Sequence, residues 1–156
     1  IATGSYDKFL RVFDAGNGKQ ILEPIKHEGM IMSVCFSPDG KSIATGSSDT
    51  FLRVFGVESR NETFKTKHEG IVNSVCFSPD GKSIATGSSD TFVRVFDAGN
   101  GEQILKPIKH EGSVNSVCFS PDGKSIAIGL DTNDEGNNTL YVYKPNLLNM
   151  GDGDYN

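Results

Sequence analysis

There is no tryptophan in these 156 residues, and cysteine, methionine and histidine occur three times each. Nothing approaches the run of about 18 apolar residues that a membrane-crossing helix needs, so no span is expected, although a signal peptide ahead of residue 1 is left open. Positive charge is short as well: 15 Lys and Arg stand against 20 Asp and Glu, a formal charge of −5 with a pI near 5.1. Sequence-independent nucleic-acid affinity rests on clustered Lys and Arg, so direct nucleic-acid binding is not expected. Cys35, Cys76 and Cys118 fall at one place in successive copies of the same text. Equivalent positions on neighbouring units should lie beyond the roughly 7 Å Cα limit for a disulfide. Reduced core thiols are therefore expected, and with them a cytoplasmic or nuclear location. The N-x-T sequons at Asn61 and Asn137 matter only on a secretory route and are read as chance.

What the chain does have is repetition. Residues 30–55 read MIMSVCFSPDGKSIATGSSDTFLRVF, residues 71–96 read IVNSVCFSPDGKSIATGSSDTFVRVF, and residues 113–129 begin the text again. His27 precedes His68 by 41 residues and His68 precedes His110 by 42. A unit of about 40 residues that cannot bury a face alone must stack on neighbours, which makes the chain an array.

Each unit reads as four short strands. Ser33–Phe36 is a β-favouring run that stops at Ser37-Pro38-Asp39-Gly40, where Pro fixes φ and Gly supplies the positive φ of a reversal. Lys41–Gly46 is the second strand, Ser48-Asp49-Thr50 a turn, and Phe51–Phe55 the third, with alternating faces. Glu102–Ile108 shows the fourth best, its Pro107 suiting an edge. The chain opens inside a unit at its second strand, so it is expected to be part of a longer polypeptide, with three, four, four and three strands in units of approximately 1–27, 30–68, 71–110 and 113–143, then a tail at 144–156.

These four-stranded units, with His before the first strand and Asp in the turn before the third, resemble WD-repeat β-propellers. The resemblance covers residues 1 to 143, and His27, Thr45 and Asp49 recur together as His68, Thr86 and Asp90. Two features depart from the family: Lys26, Lys67 and Lys109 stand before His in place of Gly, and Phe13, Phe55, Phe96 and Tyr143 replace the tryptophan that closes the third strand. The resemblance implies an all-β fold, about half of a seven- or eight-bladed ring. It also implies a buried structural network of His27, Thr45, Asp49, His68, Thr86, Asp90 and His110, shortened because Phe donates no hydrogen bond. The missing blades are expected from the same polypeptide or from a second copy joined by two-fold symmetry.

Near-identical copies differ where their shared task is slack. Ile31/Val72 and Leu52/Val93 preserve a core. Met30/Ile71/Ser113 and Met32/Asn73/Asn115 change character just after the histidine, where the family resemblance implies the top face near the central channel. With Tyr6, Ser48 and Ser89 they are candidate protein-binding residues, and neutral drift is an equal alternative. Residues 14–29 return as 97–112 with Lys19 and Glu23 exchanged for Glu102 and Lys106. Four residues apart on a strand puts each pair on one face, which keeps an outer edge neutral; residues 56–63 break this pattern.

Chemistry-bearing clusters are absent as unique features. Three histidines, one per unit, would be spread around a ring, so a zinc site is not expected, and Ser, His and Asp repeat too regularly for a catalytic triad. Asp131–Asn138, inserted before Thr139–Tyr143, imitates the opening of a calcium loop, but Val142 stands where the bidentate Glu belongs. A solvated acidic loop or a protruding tip offered to a partner is preferred over calcium. The tail Pro145–Met150 is a candidate closing strand. The expectation is a non-catalytic scaffold without cofactor, binding proteins or peptides. The rivals are an architectural subunit of a larger complex and, less favoured, a catalytic propeller with an axial metal.

Overall fold

Three Ser-Pro-Asp-Gly turns set the frame. Gly40, Gly81 and Gly123 have φ of 71°, 72° and 70°, the left-handed region where glycine carries no Cβ penalty. Ser37 Oγ donates to Asp39 Oδ1 at 2.6 Å and accepts from Ser42 N at 2.9 Å. The same pair of bonds joins Ser78 to Asp80 and Ser83, and Ser120 to Asp122 and Ser125. These serine hydroxyls, with the Lys41, Lys82 and Lys124 amides, hold the three aspartates below the usual carboxylate range.

The computed structural model describes residues 1–131 and 139–144, and among these there are fourteen strands and no helix. The first sheet contains β1 (Ala2–Gly4), β2 (Phe9–Val12) and β3 (Ile25–Lys26); the second, β4 (Ile31–Phe36), β5 (Ser42–Ser47), β6 (Phe51–Gly56) and β7 (Glu62–Lys67). The third contains β8 (Val72–Phe77), β9 (Ser83–Ser88), β10 (Phe92–Asp97) and β11 (Ile108–Lys109); the fourth, β12 (Ser113–Phe119), β13 (Ile126–Asp131) and β14 (Thr139–Tyr143). All pairings are antiparallel between consecutive strands, and β4, β8 and β12 pack beside one another. This is a partial β-propeller.

Period-2 alternation places the core in three seams between sheets. One face of β5 and β6 sends Ile43 and Phe55 back to Leu10 and Val12 of the first sheet. The other face sends Ala44, Leu52 and Val54 forward to Val72, Val75, Ile84 and Phe96. Ala85, Val93 and Val95 meet Val114, Val117, Ile126 and Ile128 in the third seam. Glycine is required where the seam is tightest: a Cβ on Gly46 would lie 2.7 Å from the Val72 carbonyl oxygen. Polar staples cross the seams as well. A bulge near the start of β4 and of β8 leaves Ser33 Oγ to accept from Val75 N and Ser74 Oγ from Val117 N, both at 3.1 Å.

The fourth strand corrects the sequence reading. Glu102–Ile108 is not a strand: a single bridge, Phe96 to Gln103, precedes the two-residue β11. Pro107 has no N–H to pair, and Gln103 Nε2 folds back on the Leu105 carbonyl at 2.9 Å. Lys19/Glu23 and Glu102/Lys106 therefore do not share the face of a strand. Residues 56–63, read as breaking the pattern, lead into the full-length outer strand, β7, which holds no proline. The thiols are free, but Cys118 is exposed rather than in the core, because no sheet among the described residues covers that face. Residues 132–138, most of the calcium-like insertion, and the tail from Pro145 lie outside the described residues.

Candidate functional site

Opposite the Ser-Pro turns, the β5–β6 turn meets the chain entering β4. Ser48 Oγ accepts from Met30 N, and Ser48 N donates to the Met30 carbonyl, both at 2.8 Å. Ser89 and Ile71 repeat this in the third sheet, at 2.8 and 2.9 Å. Ser48 and Ser89 thus clamp the turn onto the incoming strand, and the turn itself is strained: Thr50 and Thr91 sit at φ of 75° and 74°, a region that β-branched residues avoid. Lys8 takes the same conformation beside Tyr6.

The sequence reading placed Asp49 in one buried network with His27; no direct hydrogen bond joins the two, although Asp49 Oδ2 accepts from Gly29 N at 3.3 Å. Asp49 receives the Phe51 amide at 3.2 Å and Arg53 Nη1 at 2.9 Å, and Arg53 lies 5.0 Å from the centre of the Phe51 ring. Burial alone would raise the Asp49 carboxyl, but Arg53 and the Phe51 amide outweigh it and hold it below the usual range. Asp90, Phe92 and Arg94 repeat the arrangement, with Arg94 Nη1 at 2.8 and 3.0 Å from the two carboxylate oxygens. The signal was in the chain as Asp-x-Phe-x-Arg, an aspartate in the turn followed by a phenylalanine and an arginine on one face of the strand.

His27 Nε2 lies 2.9 Å from Thr45 Oγ1, and its ring centre lies 5.6 Å from that of Phe55. His68 makes the same contacts with Thr86 and Phe96. Nδ1 of both is buried without a hydrogen bond of good geometry. Burial first, then the charge of Arg94, pushes His68 down to about 4, against the opposing pull of Asp90 and the Thr66 backbone. His27 is lowered in the same way by burial and Arg53.

The fourth sheet differs. Ile128 replaces the threonine, Tyr141 takes the register position of Arg53 and Arg94, and His110 Nε2 is buried with no partner among the described residues. Tyr141, not Tyr143, makes the 5.6 Å ring contact with His110.

Of the candidate binding residues, Tyr6 is 71% exposed and Met30 36%. Met32, Ile71, Asn73 and Ser113 are half-buried, while Ser89 and Asn115 are exposed. Asn73 Nδ2 donates across the third seam to the Val114 carbonyl at 3.1 Å and lies within 3.4 Å of Asn115 Oδ1, so part of this set holds two sheets together. The family model for the WD domain, G-beta repeat, matches residues 18–55, 60–97 and 101–144. The chain belongs to the WD-repeat family. No curated protein matches it. Each matched WD repeat is offset from the sheets, taking the outer strand of one and the first three strands of the next. WD repeats generally mediate protein–protein interaction.

Proposed function

We propose that the chain is a non-catalytic recognition scaffold, cytoplasmic or nuclear, whose clamped-turn end binds protein or peptide partners. The observation that carries this is Tyr6: it occupies the place of Ser48 and Ser89 but is aromatic and 71% exposed, on a turn fixed by its neighbours. Exposed aromatic side chains on rigid turns supply contact area at low entropic cost. Met30, Met32, Ile71, Asn73, Ser113 and Asn115 adjoin the same end. A photo-crosslinker placed at Tyr6 or Met30 should give discrete protein adducts in cells, and one at Lys41, on the opposite end, should not. Equal labelling from both ends would remove the site.

A second reading has its own observation. Leu140 and Val142 are 72% and 57% exposed, whereas Leu52 and Val54, at the same register, are covered. An architectural role, in which this face meets further blades toward a seven- or eight-bladed ring, is supported by that match. Those blades would come from the same polypeptide or from a second copy.

A further inference from the structure

In the second and third sheets the corner beside the histidine is closed by the chain's own guanidinium. Arg53 and Arg94 stack on Phe51 and Phe92, pair with Asp49 and Asp90, and act on His27 and His68 through their charge. The fourth sheet keeps the histidine of this corner and changes its neighbours, with Tyr141 at the place of the arginine and Thr139 at the place of the phenylalanine. Tyr141 pairs with Ile128 as Arg53 pairs with Thr45 and Arg94 with Thr86, and the His110 imidazole is perturbed by burial alone. Thr91, Lys109, His110, Glu111 and Tyr141 line a cleft of about 700 Å³ there.

We infer that this cleft receives an arginine side chain of a partner polypeptide. A guanidinium is planar, so it can lie on the half-exposed Tyr141 ring as Arg53 lies on Phe51. Its remaining donors need acceptors, and the cleft offers the Glu111 carboxylate. Asp131 ends β13 opposite Ser113, two residues from Glu111; of the charged residues that line the cleft itself, Glu111 is acidic and Lys109 basic. A lysine ammonium would lack the planar face and the fork of donors that this geometry matches. The inference deepens the protein-recognition reading and rests on it.

The test is an NMR titration of the chain, labelled with nitrogen-15, using the capped tripeptide acetyl-Gly-Arg-Gly-amide, its citrulline and lysine counterparts, and free arginine. Saturable shifts are expected at the His110 ring and at the Glu111 and Tyr141 amides with the arginine peptide, and at least tenfold weaker binding with citrulline or lysine. Tyr141→Arg supplies the guanidinium in cis and should weaken the peptide at least tenfold. Tyr141→Phe should bind like the parent, and Tyr141→Ala should lose affinity, with unshifted β12 amides reporting an intact fold. No saturable shift, equal binding of citrulline, or a Tyr141→Arg chain that binds as well as the parent would overturn the site. Free arginine binding as tightly as the peptide would overturn the partner polypeptide as its source. Failure here with crosslinks from Tyr6 intact would leave the broader recognition reading standing.

Discussion

Leu52 and Val54 of the second sheet and Leu140 and Val142 of the fourth are the same two side chains at the same register, facing the same way. The first pair is 0% and 1% exposed, the second 72% and 57%. Burial in this fold is therefore a property of the neighbour as much as of the residue. Each sheet supplies half of an apolar seam, and an apolar side chain realises its roughly 1.5–3 kcal/mol only when the next sheet docks.

The sharpest way to break the comparison is to fill the tight point of a covered seam. Gly46→Ala drives a methyl into the Val72 carbonyl and should cost about 3 kcal/mol. Gly129→Ala, at the equivalent place on the open face, meets only Ser116 Cβ at 3.5 Å and should cost well under about 1 kcal/mol. Urea unfolding midpoints of the two variants decide it. Equal losses would show that the seam is not what limits the size of the residue.

The ion pairs offer a second contrast. Asp90 and Arg94 have side-chain exposures of 6% and 12%, against 48% and 29% for Asp7 and Arg11. Asp90→Ala strands a largely buried guanidinium and should cost about 3 kcal/mol, whereas Asp7→Ala, at a solvent-screened pair, should move the melting temperature little. Calorimetric melting of both would sharpen the comparison, and similar shifts would contradict it.

The smallest effect is the pH dependence. In the folded chain His68 titrates at about 4, below the roughly 6.5 of an unfolded imidazole. The unfolded state therefore binds more protons between those values, and stability should be full above about pH 6.5 and fall as pH drops toward 4. His27 and His110 are shifted in the same direction. His68→Gln should flatten the slope of stability against pH in that window; an unchanged slope would mean that the imidazole is not desolvated.

Much of this was readable in the chain. The reversals at Gly40, Gly81 and Gly123 follow from local turn chemistry, and the first three strands of each unit from period-2 text. The fourth strand was misjudged because Gln103–Ile108 looks β-favouring until Pro107 and the Gln103 side chain compete for its backbone bonds. The Asp49–Arg53 pairing was legible as Asp-x-Phe-x-Arg, which brings the guanidinium back over the ring to the carboxylate. Which residues are clamps (Ser48, Ser89) and which are free surface (Tyr6, Met30) was not legible, since it depends on hydrogen bonds spanning 18 residues.

The serine staples carry a consequence for how the molecule breathes. The ladder amides of β8 and β9 are protected from solvent deuterium for as long as their own sheet stays zipped. Val75 N and Val117 N are different, because their acceptor is Ser33 or Ser74 in the preceding sheet. Those two amides exchange when neighbouring sheets part, even if every strand remains paired. The opening of a seam and the melting of a sheet are thereby written on different atoms of the same strand.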